Sequence, residues 1–149
     1  RWVGLDIGAD AALALLIDGV DNNASLFDSP IAIQGAEMPV TGMKVVKYGA
    51  TTGLTHGIVD GVGGSYLIDY SKYGDTKRWM DGVRIVVDPE HSVAEISLSG
   101  DSGAIWMNPA TGKAVALHLA GEDGLGPLAE YALAQPIPRV LELLDVVVT

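Results

Sequence analysis

Ser97-Leu98-Ser99-Gly100-Asp101-Ser102-Gly103-Ala104-Ile105-Trp106-Met107 is the stretch on which the reading turns. A serine flanked by glycines stands directly ahead of an apolar run of strand length, Ala104 to Met107. The next residues, Asn108-Pro109-Ala110-Thr111-Gly112-Lys113, have turn chemistry, and Ala114 to Ala120 is apolar again. The whole therefore reads as an antiparallel hairpin with the serine at its start. Glycines around a serine let the backbone bend sharply and present its amides unobstructed, which suits a nucleophile beside an anion hole. As a bare tetrapeptide, Gly-Asp-Ser-Gly is also an ordinary turn.

Working outward, 19 glycines and 7 prolines punctuate apolar stretches of strand length, the pattern of a β-rich domain. The spacing predicts further strands at Ala12 to Ile17, Met43 to Tyr48, Leu54 to Val62, Ser65 to Asp69, Val83 to Val87 and Glu130 to Ala134. Gly61-Val62-Gly63-Gly64 reads as a turn between two of them, and the polar stretch Asp69 to Asp81 as an exposed loop. One helix is predicted from Pro138 through Leu144, with proline in the first turn and apolar residues at Val140, Leu141 and Leu144. So many short strands in a small chain protect their edges by closing into a barrel or stacking as a sandwich, and the pattern admits both.

Composition sets the outer limits. With 149 residues, 48% of them hydrophobic, one packed domain is expected. A net charge of -10 disfavours nucleic acid and anionic membranes as partners. No cysteine means no disulfide framework, cysteine nucleophile or cysteine-ligated zinc. The longest apolar run, Ala11 to Ile17, falls far short of the roughly 18 residues of a membrane span, so a soluble chain is expected. No leader pattern precedes Trp2-Val3-Gly4-Leu5, and the chain reads as a piece of a longer polypeptide. Localisation is left open by these features.

Three motifs in order carry a resemblance: Lys47-Tyr48-Gly49-Ala50-Thr51-Thr52-Gly53-Leu54-Thr55-His56-Gly57-Ile58-Val59, then Gly100-Asp101-Ser102-Gly103, then Gly112-Lys113-Ala114-Val115-Ala116-Leu117-His118-Leu119-Ala120-Gly121. Together they resemble the second half of trypsin-like, chymotrypsin-fold serine proteases, particularly bacterial members without disulfides. Tyr131-Ala132-Leu133-Ala134-Gln135-Pro136-Ile137 and the closing helix resemble the end of that fold, so the resemblance runs from about Met38 onward. It implies an all-β chain: an antiparallel six-stranded Greek-key barrel, mainly the C-terminal barrel, with a short C-terminal helix. Residues 1–36 would form the end of a first β-barrel and the linker, and residues 37–149 the second barrel with its helix. It implies no cofactor and no metal.

Residue by residue, the resemblance makes Ser102 the nucleophile, the amides of Gly100 and Ser102 the oxyanion hole, and Asp101 a structural acid paired inward. Asp10-Ala11-Ala12-Leu13-Ala14 resembles the family's aspartate motif. Asp10 lies 92 residues before Ser102, close to the about 90 of the family's triad order. It would be the buried acid that orients the base; Asp6 competes for the role and Asp18 reads as a solvated turn residue. The general-base histidine precedes the aspartate in this family, and no histidine precedes Asp10, which places the base upstream of this chain.

His118, Leu119, Ala120 and Gly121 would form a wall of the specificity pocket. A histidine there is similar to glutamate-specific members, although a packed barrel histidine is the alternative. Leu119 replaces a serine found in many members, and Glu95-Ile96-Ser97 shows no pocket-base acid of the arginine- and lysine-specific kind. His56 and His91 read as strand-edge or surface residues.

The reading is the C-terminal part of a serine endopeptidase that hydrolyses peptide bonds through an acyl-enzyme on Ser102. Its partners are a protein or peptide substrate and the N-terminal half of the same protease, and without the histidine the fragment alone is expected to be inactive. The alternatives are a non-catalytic protease-like binding module, and, more remotely, a serine esterase or a sandwich with an unrelated turn serine. An α/β-hydrolase is set aside because Gly100-Asp101-Ser102-Gly103 leads into a strand rather than a helix. Apolar Leu13, Leu15 and Ile17 are expected to expose an edge that drives self-association.

Overall fold

The computed structural model describes residues 2–3, 9–21, 23–74, 76–91, 93–122 and 130–148. Eight strands and one helix follow in chain order: β1 (Trp2–Val3), β2 (Ala11–Ala12), β3 (Lys44–Gly49), β4 (Gly53–Asp69), β5 (Lys77–Val87), β6 (Ile105–Asn108), β7 (Lys113–Gly121), β8 (Tyr131–Pro136) and α1 (Ile137–Leu144). The last six strands close into an antiparallel barrel ordered β3-β4-β5-β8-β7-β6, with β6 returning to β3 through Val46 and Met107. Closure resolves the choice between barrel and sandwich, and beyond it residues 65–69 of β4 and 77–81 of β5 pair only with each other.

Alternation aims one side chain in two at the barrel axis, and Val45, Val59, Val83, Ile85, Trp106 and Val115 fill it without solvent contact. Each such side chain contributes roughly 1.5–3 kcal/mol by leaving water. Helix α1 closes one flank: Ile137, Val140 and Leu144 recur along one face and pack on Ala114, Ile105 and Leu117. It stops at Asp145, whose left-handed backbone returns its amide to the Glu142 and Leu141 carbonyls.

Residues 23–37 run over the barrel's outside. Leu26 packs with Val46 and Met107, while Glu37 and Gln34 donate backbone bonds to the Ala114 and Gly112 carbonyls.

Three expectations are corrected. The predicted strand Ala12 to Ile17 is reduced to Ala11–Ala12, which pairs with Trp2–Val3. Residues 13–17 lie in no ladder and Leu15 is 97% exposed, because no described strand lies beside them to satisfy their backbone and cover their apolar side. The glycine-rich stretch 61–64 is not a turn. It sits inside the single 17-residue strand β4, where two register shifts against β5 absorb extra residues as bulges, and Asp60 at the first pairs with Arg84 at 3.2 Å. Nor is Asp69 to Asp81 one loop: a 3-10 turn at Ser71–Tyr73 reverses the chain, and Lys77 to Asp81 already belong to β5. Asp6 lies outside the described residues.

Candidate active site

The segment preceding β6 is organised around a buried ion pair. Asp101 and Lys47 have no exposed side-chain surface, and Lys47 Nζ lies 3.0 Å from Asp101 Oδ2. Around that pair the Thr52 hydroxyl donates to Oδ2 at 2.6 Å, the amides of Thr51 and Thr52 donate to Oδ1, and the Leu98 amide donates to Oδ2. Burial works to raise the Asp101 carboxyl. The Thr52 hydroxyl, the Thr51 amide and the Lys47 ammonium outweigh it and hold the acid well below the usual carboxylate range. Lys47 also lies 5.3 Å from the Trp106 ring centre. Gly49 makes this approach possible, since a Cβ there would occupy the Asp101 carboxylate's space. The inward partner that the sequence left unnamed is thus Lys47, on β3.

With Asp101 fixed, the Gly-Asp-Ser-Gly loop has one shape. Gly100 takes a φ of 106°, the Asp101 amide donates to the Leu98 carbonyl, and the Gly103 amide donates to the His118 carbonyl. The amides of Gly100 and Ser102 take part in none of the loop's hydrogen bonds among the described residues. Ser102 is exposed, and its hydroxyl makes a long 3.4 Å bond to the Leu119 carbonyl.

Asp10 arrives from the opposite side. It shares with Ser102, Gly103, His118 and Leu119 a cleft of about 370 Å³. Its amide donates to Gln135 Oε1 at 3.1 Å, and the Tyr70 hydroxyl donates to its Oδ2 at 2.9 Å. The expectation of a buried acid is corrected: Asp10 is exposed, because the cleft wall beside it is open among the described residues.

A second cavity, about 420 Å³, opens on the other side of Ser102 and is lined by Glu95, Ser97, His118, Gly121 and Glu122. Ala120 also lines it, whereas Leu119 faces the Asp10 cleft. A bulge causes this split: β7 carries one extra residue between His118 and Ala120 relative to Ala134 and Leu133 on β8. Gly121 stands so close to Ser97 Oγ that any Cβ would collide with it. His118 is 4% exposed, its Nδ1 has no hydrogen-bond partner among the described residues, and burial lowers its pKa to about 4, so the ring is neutral at pH 7. Just beyond, burial and the carboxylates of Glu95 and Glu122 push the Glu130 carboxyl up. Spacing did not reveal Glu95, Glu122 and Glu130 as neighbours, because a loop, a strand end and a strand start bring them together.

The three histidines do not converge. His56 stacks on His91 with ring centres 4.0 Å apart, and His118 instead meets the Trp106 edge at 6.3 Å. Among the described residues, Asp88, Glu90 and His91 lie close enough to share one cation, but the Lys44 ammonium already occupies that role against Asp88 and Glu90.

No protein-family model and no curated protein matches the chain. Among solved structures it is similar to a glutamic acid specific serine protease that uses a histidine triad in substrate binding, at 27% identity and TM-score 0.66, over 89% of this chain and 64% of that one. It is also similar to Cellulomonas bogoriensis chymotrypsin, at 18% identity and TM-score 0.66 over the same shares. A third match is protease A of Thermobifida fusca, at 21% identity and TM-score 0.59, over 83% of this chain and 57% of that one. The chain thus spans 64% or less of each of these proteins. A closed six-strand barrel, its terminal helix and these matches over most of the length give the chain the chymotrypsin fold, in the likeness of the bacterial trypsin-like serine proteases.

Proposed function

We propose that the chain is the C-terminal part of a serine endopeptidase that cleaves peptide bonds through an acyl-enzyme on Ser102. The observation that carries this is the shared cleft: Ser102 and Asp10, far apart in sequence, line one cavity beside a loop whose Gly100 and Ser102 amides have no hydrogen-bond partner among the described residues. In this reading the Ser102 hydroxyl attacks the scissile carbonyl, and the amides of Gly100 and Ser102 hold the resulting oxyanion. A histidine from the N-terminal half of the same protease accepts the serine proton and returns it to the leaving amine, and Asp10 fixes its tautomer. Residues 1–36 then belong to the end of the first barrel and its linker, and residues 37–149 to the second barrel. His118, Leu119, Ala120 and Gly121 form the substrate-facing wall. Without the upstream histidine Ser102 stays protonated and nearly inert.

The test is intact-mass analysis of the longest natural form of the protein after fluorophosphonate treatment. One adduct that is lost in Ser102→Ala is the expected result. No adduct on a folded sample would overturn the proposal in favour of a protease-like binding module.

A further inference from the structure

We infer that Tyr70 is a positioning residue for the reaction: its hydroxyl holds one oxygen of the Asp10 carboxylate so that the other is presented to the catalytic histidine. This rests on the endopeptidase reading and deepens it. Asp10 is exposed, and an exposed carboxylate without a fixed donor turns freely among its rotamers. Two anchors from the second barrel restrain it. The buried Gln135 of β8 accepts the Asp10 amide through Oε1 at 3.1 Å, which places the backbone. The Tyr70 hydroxyl donates to Oδ2 at 2.9 Å, which places the carboxylate. A carboxylate accepts through both oxygens, so Oδ1, without a hydrogen bond among the described residues, is left for an imidazole N–H. Other walls of the Asp10 cleft offer no side-chain donor at Ala11, Ala12, Leu117 or Leu119.

The ribbon that carries Tyr70 supplies the independent observation. Residues 65–69 and 77–81 continue β4 and β5 past the barrel and pair only with each other, and a two-stranded ribbon of this kind gains little stability for itself. Its cross-strand neighbours Leu67 and Trp79 are 48% and 67% exposed, yet Tyr70, three residues beyond Leu67, is 9% exposed. The end of the ribbon is locally braced. Asp69 accepts the Ser71 amide at 2.9 Å and meets Lys77 across the ribbon at 3.7 Å, and the Tyr70 amide donates to the Thr76 carbonyl. Two bulges between Val59 and Gly64 bend β4 where the ribbon departs. The ribbon thus brings a held phenol to an acid 60 residues away in sequence, and a tyrosine has both the reach and the polar tip for that contact.

The experiment measures fluorophosphonate labelling of Ser102 against probe concentration in the longest natural form of the protein, giving a maximal rate and a half-saturating concentration. Four forms are compared: the parent, Tyr70→Phe, Asp10→Ala and the double variant, each with its urea midpoint. Tyr70→Phe should lower the maximal rate roughly tenfold and shift the half-saturating concentration by less than about twofold, the signature of a misplaced catalytic group rather than of lost binding. In the Asp10→Ala background, whose residual labelling relies on the oxyanion hole and binding, the same change should have no further effect, because the phenol has no carboxylate to hold. A purely structural tyrosine would slow both backgrounds by the same factor and lower both urea midpoints. That result, or an unchanged rate in Tyr70→Phe, overturns the positioning role and leaves the endopeptidase reading standing. Absence of labelling in the folded parent removes that reading and the positioning role with it.

Discussion

Asp101 and Asp10 both serve the surroundings of Ser102, yet they live in opposite conditions. Asp101 has no exposed side-chain surface and gathers donors from β3, from the β3–β4 turn and from its own loop. Asp10 is exposed and its carboxylate is held by the Tyr70 hydroxyl. The contrast separates stability from chemistry: the barrel completes the support of the Ser102 loop by itself, while the acid of the proposed triad stands on an open flank. Substitutions at the first should act on folding, and those at the second on rate.

The largest effect should come from the flank. In the longest natural form of the protein, Asp10→Asn should slow peptide hydrolysis by about 10⁴-fold through the wrong histidine tautomer. Its urea midpoint should move by less than about 0.5 kcal/mol equivalent. Lys47→Met should do the reverse, removing about 3–5 kcal/mol of stability because Asp101 stays buried without its counter-charge, as read by urea unfolding. A loss below about 1 kcal/mol would break the comparison.

Acid sharpens it further. Burial holds the folded pKa of His118 at about 4, below the ordinary histidine value of about 6.5, so its contribution is fully present above pH 6.5 and is lost as pH falls towards 4. The loss is about 3 kcal/mol and should disappear in His118→Gln when unfolding is followed across that range. Asp101 has a depressed pKa as well, so its contribution persists down to about pH 4 and fades only below it. Gly49→Ala, which places a methyl against the Asp101 carboxylate, should cost about 1–3 kcal/mol by the same unfolding assay. Smallest in free energy is the exposed run: Leu15→Ser with Ile17→Ser should change stability by no more than about 0.5 kcal/mol. Light scattering on the isolated chain should nevertheless show weaker self-association, since both residues are exposed.

The sequence was most legible where local chemistry and burial agree. The hairpin from Ile105 to Gly121 and the helix from Ile137 to Leu144 match their apolar patterns closely, because both bury the face those patterns mark. Gly61, Gly63 and Gly64 misled because turns and bulges use the same residue, and only the continued pairing of Gly61 with Arg84 and Gly64 with Gly82 separates them. Lys77 to Asp81 read as a loop because their strand carries mostly polar side chains on solvent-facing positions. Lys47 gave no sign of its role, since a lysine in a strand pattern reads as a solvated charge and its partner lies 54 residues away. Ser102 and its glycines were visible in one line of sequence, whereas the Glu95, Glu122 and Glu130 grouping exists only after the barrel closes.

The extra residue in β7 sets a limit on engineering this protein. Because Leu119 falls outside the regular register with β8, its carbonyl meets the Ser102 hydroxyl and divides two cavities. Deleting it would give the sheet an unbroken ladder and erase the partition between the Asp10 cleft and the cavity lined by Glu95 and Glu122. A redesign guided by strand regularity alone would therefore select a tidier barrel in which the two cavities beside Ser102 had merged.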